Sequence, residues 1–185
     1  MSNAYVTLWT KARCAWLRRV RDHGPLFVLF GGPHISLPSM AQVKVGDTVF
    51  PVWVSDGKLR VIARMQVGRL ITLAEYAREY LQLGSLPIGP VSPEFPRQHP
   101  ELGHRAPVGC IDQVAIASEG TPFNFERSIA PEDLPFLRFG PKPGKEKALS
   151  GLQDGLLVNS LSFQGHVRRA SEQTRKILAA ACVNS

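Results

Sequence analysis

The sequence TVFPVWVSDGKLRVIARMQV, residues 48–67, contains the strongest local structural signal in the chain. Strand-like runs at 48–54 and 58–67 flank an Asp-Gly pair, and Asp-Gly between such runs predicts a β-hairpin. Leu59, Val61, Ala63 and Met65 alternate with a second set, which predicts one buried face and one partly basic face; the second set is Arg60, Ile62, Arg64 and Gln66. Pro51 cannot donate a ladder hydrogen bond, so we expect the first strand to lie at a sheet edge or to carry a bulge.

Hydrophobic runs bounded by turn and capping residues predict further elements on both sides of this hairpin. The predicted helices are one from Lys11 to a Gly24 cap, one over 73–83 after Thr72, and one over 172–182 after Ser171. The other predicted elements are strands at 4–9, 26–30, 110–117 and 156–163, the last after a turn at 153–155, and a helical turn at 131–136. Many short strands with Gly- and Pro-rich connections are typical of an α+β or barrel architecture.

Length and composition favour one globular domain that spans residues 1–185. Residues 84–109 hold six prolines and four glycines, which predicts a long loop insertion without regular structure. No apolar run approaches the roughly 20 residues of a membrane span, so no membrane partner is expected. Three cysteines do not form a disulfide framework, which favours a reducing cytoplasm.

The net charge of +7 comes mostly from the beginning of the chain, where residues 1–46 hold six basic side chains and one acidic side chain. On a helical wheel, Ala12, Trp16, Leu17 and Val20 form an apolar arc, and Arg13 falls inside that arc as a misfit. The opposite arc is basic, which indicates either a solvated surface or a phosphate-binding face. Two more basic segments, 138–147 and 166–169, favour the binding interpretation if all three regions converge.

The order of elements after Gly46-Asp47 resembles the PUA-like barrel superfamily, which includes the EVE, YTH and ASCH domains. The resemblance covers residues 4 to about 83 and rests on a Gly-Asp pair before a core strand, a hairpin and a connecting helix. It implies a small, partly open β-barrel with flanking helices, which binds nucleic acid and accepts a modified or flipped base between aromatic side chains. The Gly-x-Lys-x-x-Glu-x-Arg motif of the ASCH branch is absent, so no catalytic role is carried over.

A nucleic-acid-binding protein, with DNA or RNA as its partner, is therefore the first functional prediction. Trp9 and Trp53 are the candidates to stack on a base, although tryptophans in apolar surroundings are also typical of a protein core. Arginine and lysine contact phosphates, and glutamine reads adenine edges. The complete predicted set is Trp9, Lys11, Arg13, Arg18, Arg19, Trp53, Arg64, Gln164, Arg168 and Arg169, with no metal and no cofactor.

Two other functions remain open at the level of sequence. One is a hydrolase or base-processing enzyme on the same fold that uses Cys110, His104 or a carboxylate, since a nucleophile and its base need only spatial proximity. A zinc site at His99, His104 and Cys110 is disfavoured, because their spacing lacks the close ligand pairs of structural sites. The other function is a protein-interaction module whose Pro-rich loop contacts a protein partner.

Overall fold

The computed structural model describes residues 2–31, 42–80, 113–163 and 168–183. The helices are α1 (Lys11–Arg19), α2 (Leu73–Tyr80) and α3 (Glu172–Val183), with 3-10 turns at Pro131–Phe136 and Leu161–Phe163. The strands are β1 (Ala4–Leu8), β2 (Val28–Gly31), β3 (Thr48–Ser55), β4 (Lys58–Val61), β5 (Met65–Thr72), β6 (Gln113–Gly120), β7 (Arg138–Phe139), β8 (Lys147–Ala148), β9 (Leu152–Gln153), β10 (Leu156–Leu157) and β11 (Arg168–Ala170). The predicted Pro-rich loop at 84–109 lies outside the described residues. Within the described ranges, no helix is long and apolar enough to cross a bilayer.

Nine strands form one sheet in the order β2-β6-β5-β3-β1-β11-β7-β8, with β4 also paired to β3. The β1–β3 pair is parallel and the other pairs are antiparallel. Strands β2 and β8 end this path without pairing to each other, so the described sheet is not closed into a barrel. The α+β class is therefore confirmed, whereas the PUA-like barrel stays a prediction.

The predicted hairpin forms, but its second strand is broken in two by a bulge. Val52 pairs with Val61 and Val49 pairs with Met65, so two residues of β3 face three residues, 62–64, of the opposite strand. The extra residue reverses which face later side chains occupy, and the single alternating strand predicted at 58–67 is therefore wrong. Pro51 lies opposite this bulge in a central strand, so the edge alternative is wrong, and the bulge belongs to the strand that pairs with β3 rather than to β3 itself.

Both faces of the central strands are buried, because the sheet separates two hydrophobic clusters. One cluster joins Phe50 and Val61 to Leu178 of α3. The other joins Val49 and Met65 to side chains of α1 and β2. Burial on both sides explains why β1 and β3 read as nearly continuous apolar runs. It also places α1 on the face of the sheet to which Leu29 of β2 and Ala115 of β6 contribute their side chains.

The Gly-Asp pair before β3 has a structural role. The buried carboxylate of Asp47 accepts hydrogen bonds from the backbone N–H of Asn3 at 2.7 Å and of Lys44 at 2.9 Å. Gly46 adopts φ +89°, a left-handed conformation that glycine tolerates best. Asp47 therefore ties the start of β1 to the loop before β3, where the two strands begin their parallel pairing.

Several local predictions based on caps and turns are confirmed. Thr72 and Glu75 form a reciprocal capping box at the start of α2, and Ser171 accepts the N–H of Thr174 at the start of α3. Asp56 and Asp154 both adopt left-handed backbone in Asp-Gly turns.

Two other predicted boundaries are wrong. Helix α1 ends at Arg19 rather than at a Gly24 cap, because Arg21 is left-handed (φ +57°) and the N–H of Asp22 donates to Leu17 O. These bonds make a Schellman-type ending before Gly24 is reached. The strand predicted at 156–163 is limited to Leu156–Leu157, after which the chain reaches a 3-10 turn at Leu161–Phe163.

Candidate functional site

A cavity of about 290 Å³ lies between α1, α2 and the loop that follows α1. We call it the aromatic pocket. Its chemically informative lining side chains are Trp9, Arg13, Asp22, Phe27, Tyr76 and Phe123. These residues come from four separate parts of the chain, so only the tertiary fold brings them together.

Backbone hydrogen bonds fix the loop that forms one wall of the pocket. Phe123 N–H donates to His23 O, and Leu26 N–H donates to Thr121 O, both at 2.9 Å. Gly24 is left-handed (φ +74°), and a Cβ at this position would lie 3.1 Å from Leu26 N and 3.3 Å from Phe123 N. Glycine is therefore required both by the backbone angle and by the close approach of the 121–123 segment.

Aromatic side chains in mutual contact form the other walls. The rings of Trp9 and Phe123 meet edge to face with centroids 5.6 Å apart. Tyr76 stacks on Tyr80 at 5.1 Å, and Tyr80 in turn contacts Phe27 edge to face at 5.7 Å. Phe27 is 44% exposed and Tyr80 36%, which leaves aromatic surface at the pocket's rim open to a ligand.

Arg13 supplies the positive charge of the aromatic pocket. Its guanidinium carbon lies 4.1 Å from the centroid of the Trp9 ring, a cation–π contact, and the side chain is half-buried. Burial lowers the pKa of Arg13 to about 10, so the group stays charged at neutral pH although it has lost much of its hydration. Its guanidinium has no hydrogen bond or ion pair to any described residue. A partly dehydrated cation that has no acceptor among the described residues is suited to an anionic or hydrogen-bond-accepting ligand.

The predicted rotation of α1 about its own axis is wrong, and the observed rotation explains why Arg13 faces the pocket. Cys14 and Leu17 are the buried residues of the helix, whereas Val20, placed in the apolar arc, is 47% exposed. The buried arc is rotated toward Arg13, so the residue that did not fit the sequence pattern faces the pocket. Apolar periodicity over nine residues was too short to fix the rotation.

The other basic residues of α1 lie outside the pocket. Lys11, Arg18, Arg19 and the following Arg21 are exposed, as expected for a basic face. Arg18 is 3.3 Å from Glu126, and both side chains are more than half exposed, so this ion pair is weak and easily exchanged. None of these four residues is among those that line the pocket.

The two predicted stacking residues have different environments. Trp9 lines the pocket but is only 3% exposed, because Arg13 and Phe123 cover its ring. Its visible role is to hold Arg13, and direct stacking of Trp9 on a base stays a prediction. Trp53 is half-buried and packs against the hydrophobic cluster that contains Trp9. The guanidinium of Arg60 lies 5.6 Å from the centroid of the Trp53 ring, and Trp53 is not among the residues that line the pocket.

The remaining predicted binding residues are not gathered at this pocket. Arg64 is ion-paired with Glu119. Arg169 is 9% exposed and bound to Glu146 at 2.5 Å, whereas Arg168 lines a separate cavity with Lys145 and Lys147. Two of the three basic regions therefore converge, since Arg168 of 166–169 lies beside Lys145 and Lys147 of 138–147. Among the described residues, no hydrogen bond or ion pair joins them to the third region, α1. Gln164 lies outside the described residues.

The residues of the alternative functions fall mostly outside the described ranges. This applies to His99, His104, Cys110 and the Pro-rich loop, so the hydrolase and interaction hypotheses stay predictions. Among the described residues, no group of three metal-binding side chains occurs. Burial raises the pKa of Cys14 to about 12, which makes this thiol a poor nucleophile at neutral pH.

Four residues of the pocket were not recognised from the sequence: Asp22, Phe27, Tyr76 and Phe123. One available signal was Tyr76 and Tyr80, which lie four residues apart on a predicted helix and so share one face.

Comparison with protein-family models, with curated proteins and with solved structures found no match. The function therefore has to be argued from the geometry of this site.

Proposed function

We propose that the chain binds nucleic acid by inserting one unpaired base into the aromatic pocket. The observation that carries this proposal is Arg13, whose guanidinium lies on Trp9 inside a cavity lined by aromatic rings and has no acceptor among the described residues. Guanidinium planes and aromatic rings both stack on bases, and aromatic stacking contributes about 1–3 kcal/mol per base.

The size and polarity of the pocket favour a single planar ring. Its volume of about 290 Å³ is small for a ligand site, since drug-sized molecules occupy cavities of roughly 300–1,000 Å³. Asp22 uses one carboxylate oxygen to accept the N–H of Gly24 at 2.9 Å, which fixes its direction. Its other oxygen is an acceptor for an amino or imino group on the edge of a base. Stacking and one edge contact are sufficient to select an unpaired base over one stacked within a duplex.

The exposed basic residues of α1 would contact the phosphates of the same strand. Lys11, Arg19 and Arg21 are exposed on or directly after α1, the helix that carries Arg13, and none has an ion pair among the described residues. Phosphate contacts of this kind release counterions, so affinity should fall steeply as salt is raised. The proposal therefore predicts a stronger interaction with single strands than with duplexes, and a marked dependence on salt.

Intrinsic tryptophan fluorescence tests this proposal, because Trp9 lines the pocket. Short single- and double-stranded DNA and RNA are titrated at about 50 and 150 mM salt. We expect saturable quenching that weakens as salt is raised, and about tenfold weaker binding for Arg13→Met, which loses the stacking surface. Arg175→Met is the matched control, because Arg175 lies on α3 and its ion pair among the described residues is with the exposed Glu172.

Three results would refute the proposal. The first is the absence of saturable quenching by any oligonucleotide with folded protein. The second is an equal loss of affinity for Arg13→Met and Arg175→Met, which would indicate general charge attraction. The third is quenching that persists unchanged in Trp9→Phe, which would place the bound base near another tryptophan.

A further inference from the structure

A second cavity, of about 390 Å³, lies on the β7–β8 hairpin beside β11. We call it the basic cavity. It is lined by three cationic side chains, Lys145, Lys147 and Arg168, and none of its described lining residues is acidic. It shares no lining residue with the aromatic pocket.

Strand register explains why these three cations meet. Arg168 is paired with Val6, Ala170 with Phe139, and Phe139 with Lys147. Directly paired residues point to the same face of a sheet, as do residues two apart on one strand. Arg168 and Lys147 therefore lie on one face, and Lys145 belongs to the turn that precedes Lys147.

The neighbouring acid is directed away from this cavity. Glu146 binds Arg169 at 2.5 Å and also accepts the N–H of Gly144 at 2.7 Å. Because consecutive residues of a strand point to opposite faces, Arg169 takes the carboxylate on one side while Arg168 faces the cavity on the other. The Nε of Arg168 is buried and has no hydrogen-bond partner in the part of the chain that the structure describes.

Close backbone contacts also fix the conformation of the β7–β8 hairpin. A Cβ at Gly140 would lie 2.5 Å from Lys145 O and 2.7 Å from the Cα of Glu146, so the two strands approach as closely as glycine allows. Gly140 N–H donates to Arg169 O at 3.0 Å, which fixes the hairpin against β11. The three cations are therefore presented by one connected backbone unit.

We infer that the basic cavity is a binding site for a phosphate group. Three cations converge there with no carboxylate among the described lining residues, and one of them carries a buried donor that an anionic oxygen would satisfy. The inference does not depend on the proposed role of the aromatic pocket, since a phosphate needs no base-stacking surface. The phosphate could belong to a small phosphorylated molecule or to a nucleic-acid backbone, which present the same group to these side chains.

Isothermal titration with inorganic pyrophosphate tests the site with a ligand that has no base. We expect saturable binding that weakens about tenfold in Arg168→Met and in Lys145→Met, the loss typical of one charge-assisted hydrogen bond. Lys142→Met is the matched control: it removes one positive charge from the same hairpin, but Lys142 is exposed and does not line the cavity. Lys145 is exposed, so its variant gives an answer even if Arg168→Met folds poorly.

Pyrophosphate binding in Arg13→Met should be unchanged, which separates this site from the aromatic pocket. Absence of saturable binding, retention of full affinity by both cavity variants, or an equal loss in Lys142→Met would each overturn the inference. Competition then distinguishes the source of the phosphate. Stronger displacement by a short oligonucleotide supports a nucleic-acid backbone, and stronger displacement by a mononucleotide supports a small phosphorylated ligand.

Discussion

Replacing Arg13 by methionine should make the free protein more stable while it weakens ligand binding. Methionine keeps most of the apolar stem and removes a charge that is half-buried beside Trp9 without an acceptor among the described residues. Most mutations that remove a polar contact destabilise a protein. An increase in stability would therefore identify Arg13 as a residue retained for a ligand rather than for the fold.

The size of the effect follows from the environment of the guanidinium. An ordinary arginine titrates above 12, so a pKa lowered by burial to about 10 corresponds to roughly 3 kcal/mol of penalty on the charged form. Solvent screening at a half-buried position reduces this to about 1–2 kcal/mol. The cation–π contact with Trp9 returns about 0.5–1 kcal/mol. The net expected gain for Arg13→Met is about 1 kcal/mol in the free energy of unfolding at neutral pH.

Urea denaturation measures this free energy, and thermal unfolding should show a rise of about 2–4 °C for a chain of this length. Arg175→Met is the control for loss of an exposed arginine and should change stability by less than about 0.5 kcal/mol. A loss of more than about 1 kcal/mol in Arg13→Met would refute the reasoning. It would mean that the guanidinium stabilises the packing around Trp9, and the proposed function would lose its main support.

Three further predictions concern the framework that positions the sites. Asp47→Ala should lose about 3 kcal/mol in urea denaturation, because it removes a buried acceptor from two backbone N–H groups at 2.7 and 2.9 Å; a loss below about 1 kcal/mol would contradict this role. Thr72→Ala should lose about 1 kcal/mol by removing half of the α2 capping box, whereas Thr72→Ser should retain most of it. Burial raises the pKa of Cys14 in the folded protein to about 12. As the pH rises, the unfolded chain therefore loses this proton before the folded protein does, and the free energy of unfolding should fall by about 1 kcal/mol between pH 8 and 10. A Cys14→Ala variant should show a flatter decline over that range, and an unchanged slope would contradict the assignment.

The sequence was most informative where a single residue type decides a local geometry. Asp-Gly turns, the Thr72–Glu75 capping box and the Ser171 cap were all predictable, because each depends on side-chain chemistry within four residues. These signals located the hairpin and the start of two helices. They carry no information about which elements become neighbours in the sheet.

The errors arose where distant parts of the chain decide the outcome. The bulge opposite Pro51 depends on β3 pairing with β1 on one side and with β4 and β5 on the other, which local alternation does not encode. The rotation of α1 depends on the cluster that packs against Cys14 and Leu17. Both errors have one physical cause, namely that tertiary packing outweighs the periodicity of a short segment.

The candidate site was only partly predictable for the same reason. Arg13 was recognisable as a charged residue within an apolar arc, and this local inconsistency was the best sequence signal of the pocket. Its partners Tyr76 and Phe123 are more than 60 and 100 residues away in the chain and converge only in the folded molecule. The basic cluster in the sequence predicted that the exposed face of α1 binds the ligand. The structure instead favours Arg13, which faces the pocket.

Pairing with carboxylates distinguishes the basic residues that are available to a ligand better than net charge does. Arg64 and Arg169 have close acidic partners, and Arg18 has a weaker one, so part of their charge is already neutralised within the fold. Arg13 and Arg168 have no hydrogen bond or ion pair to a carboxylate among the described residues, although Asp22 acts on Arg13 electrostatically, and each lines a cavity. A ligand gains most from cations whose dehydration is not yet compensated, because it supplies the missing acceptor. Binding losses should therefore be largest at Arg13 and Arg168, even though Arg18 and Arg169 belong to the same basic segments of the sequence.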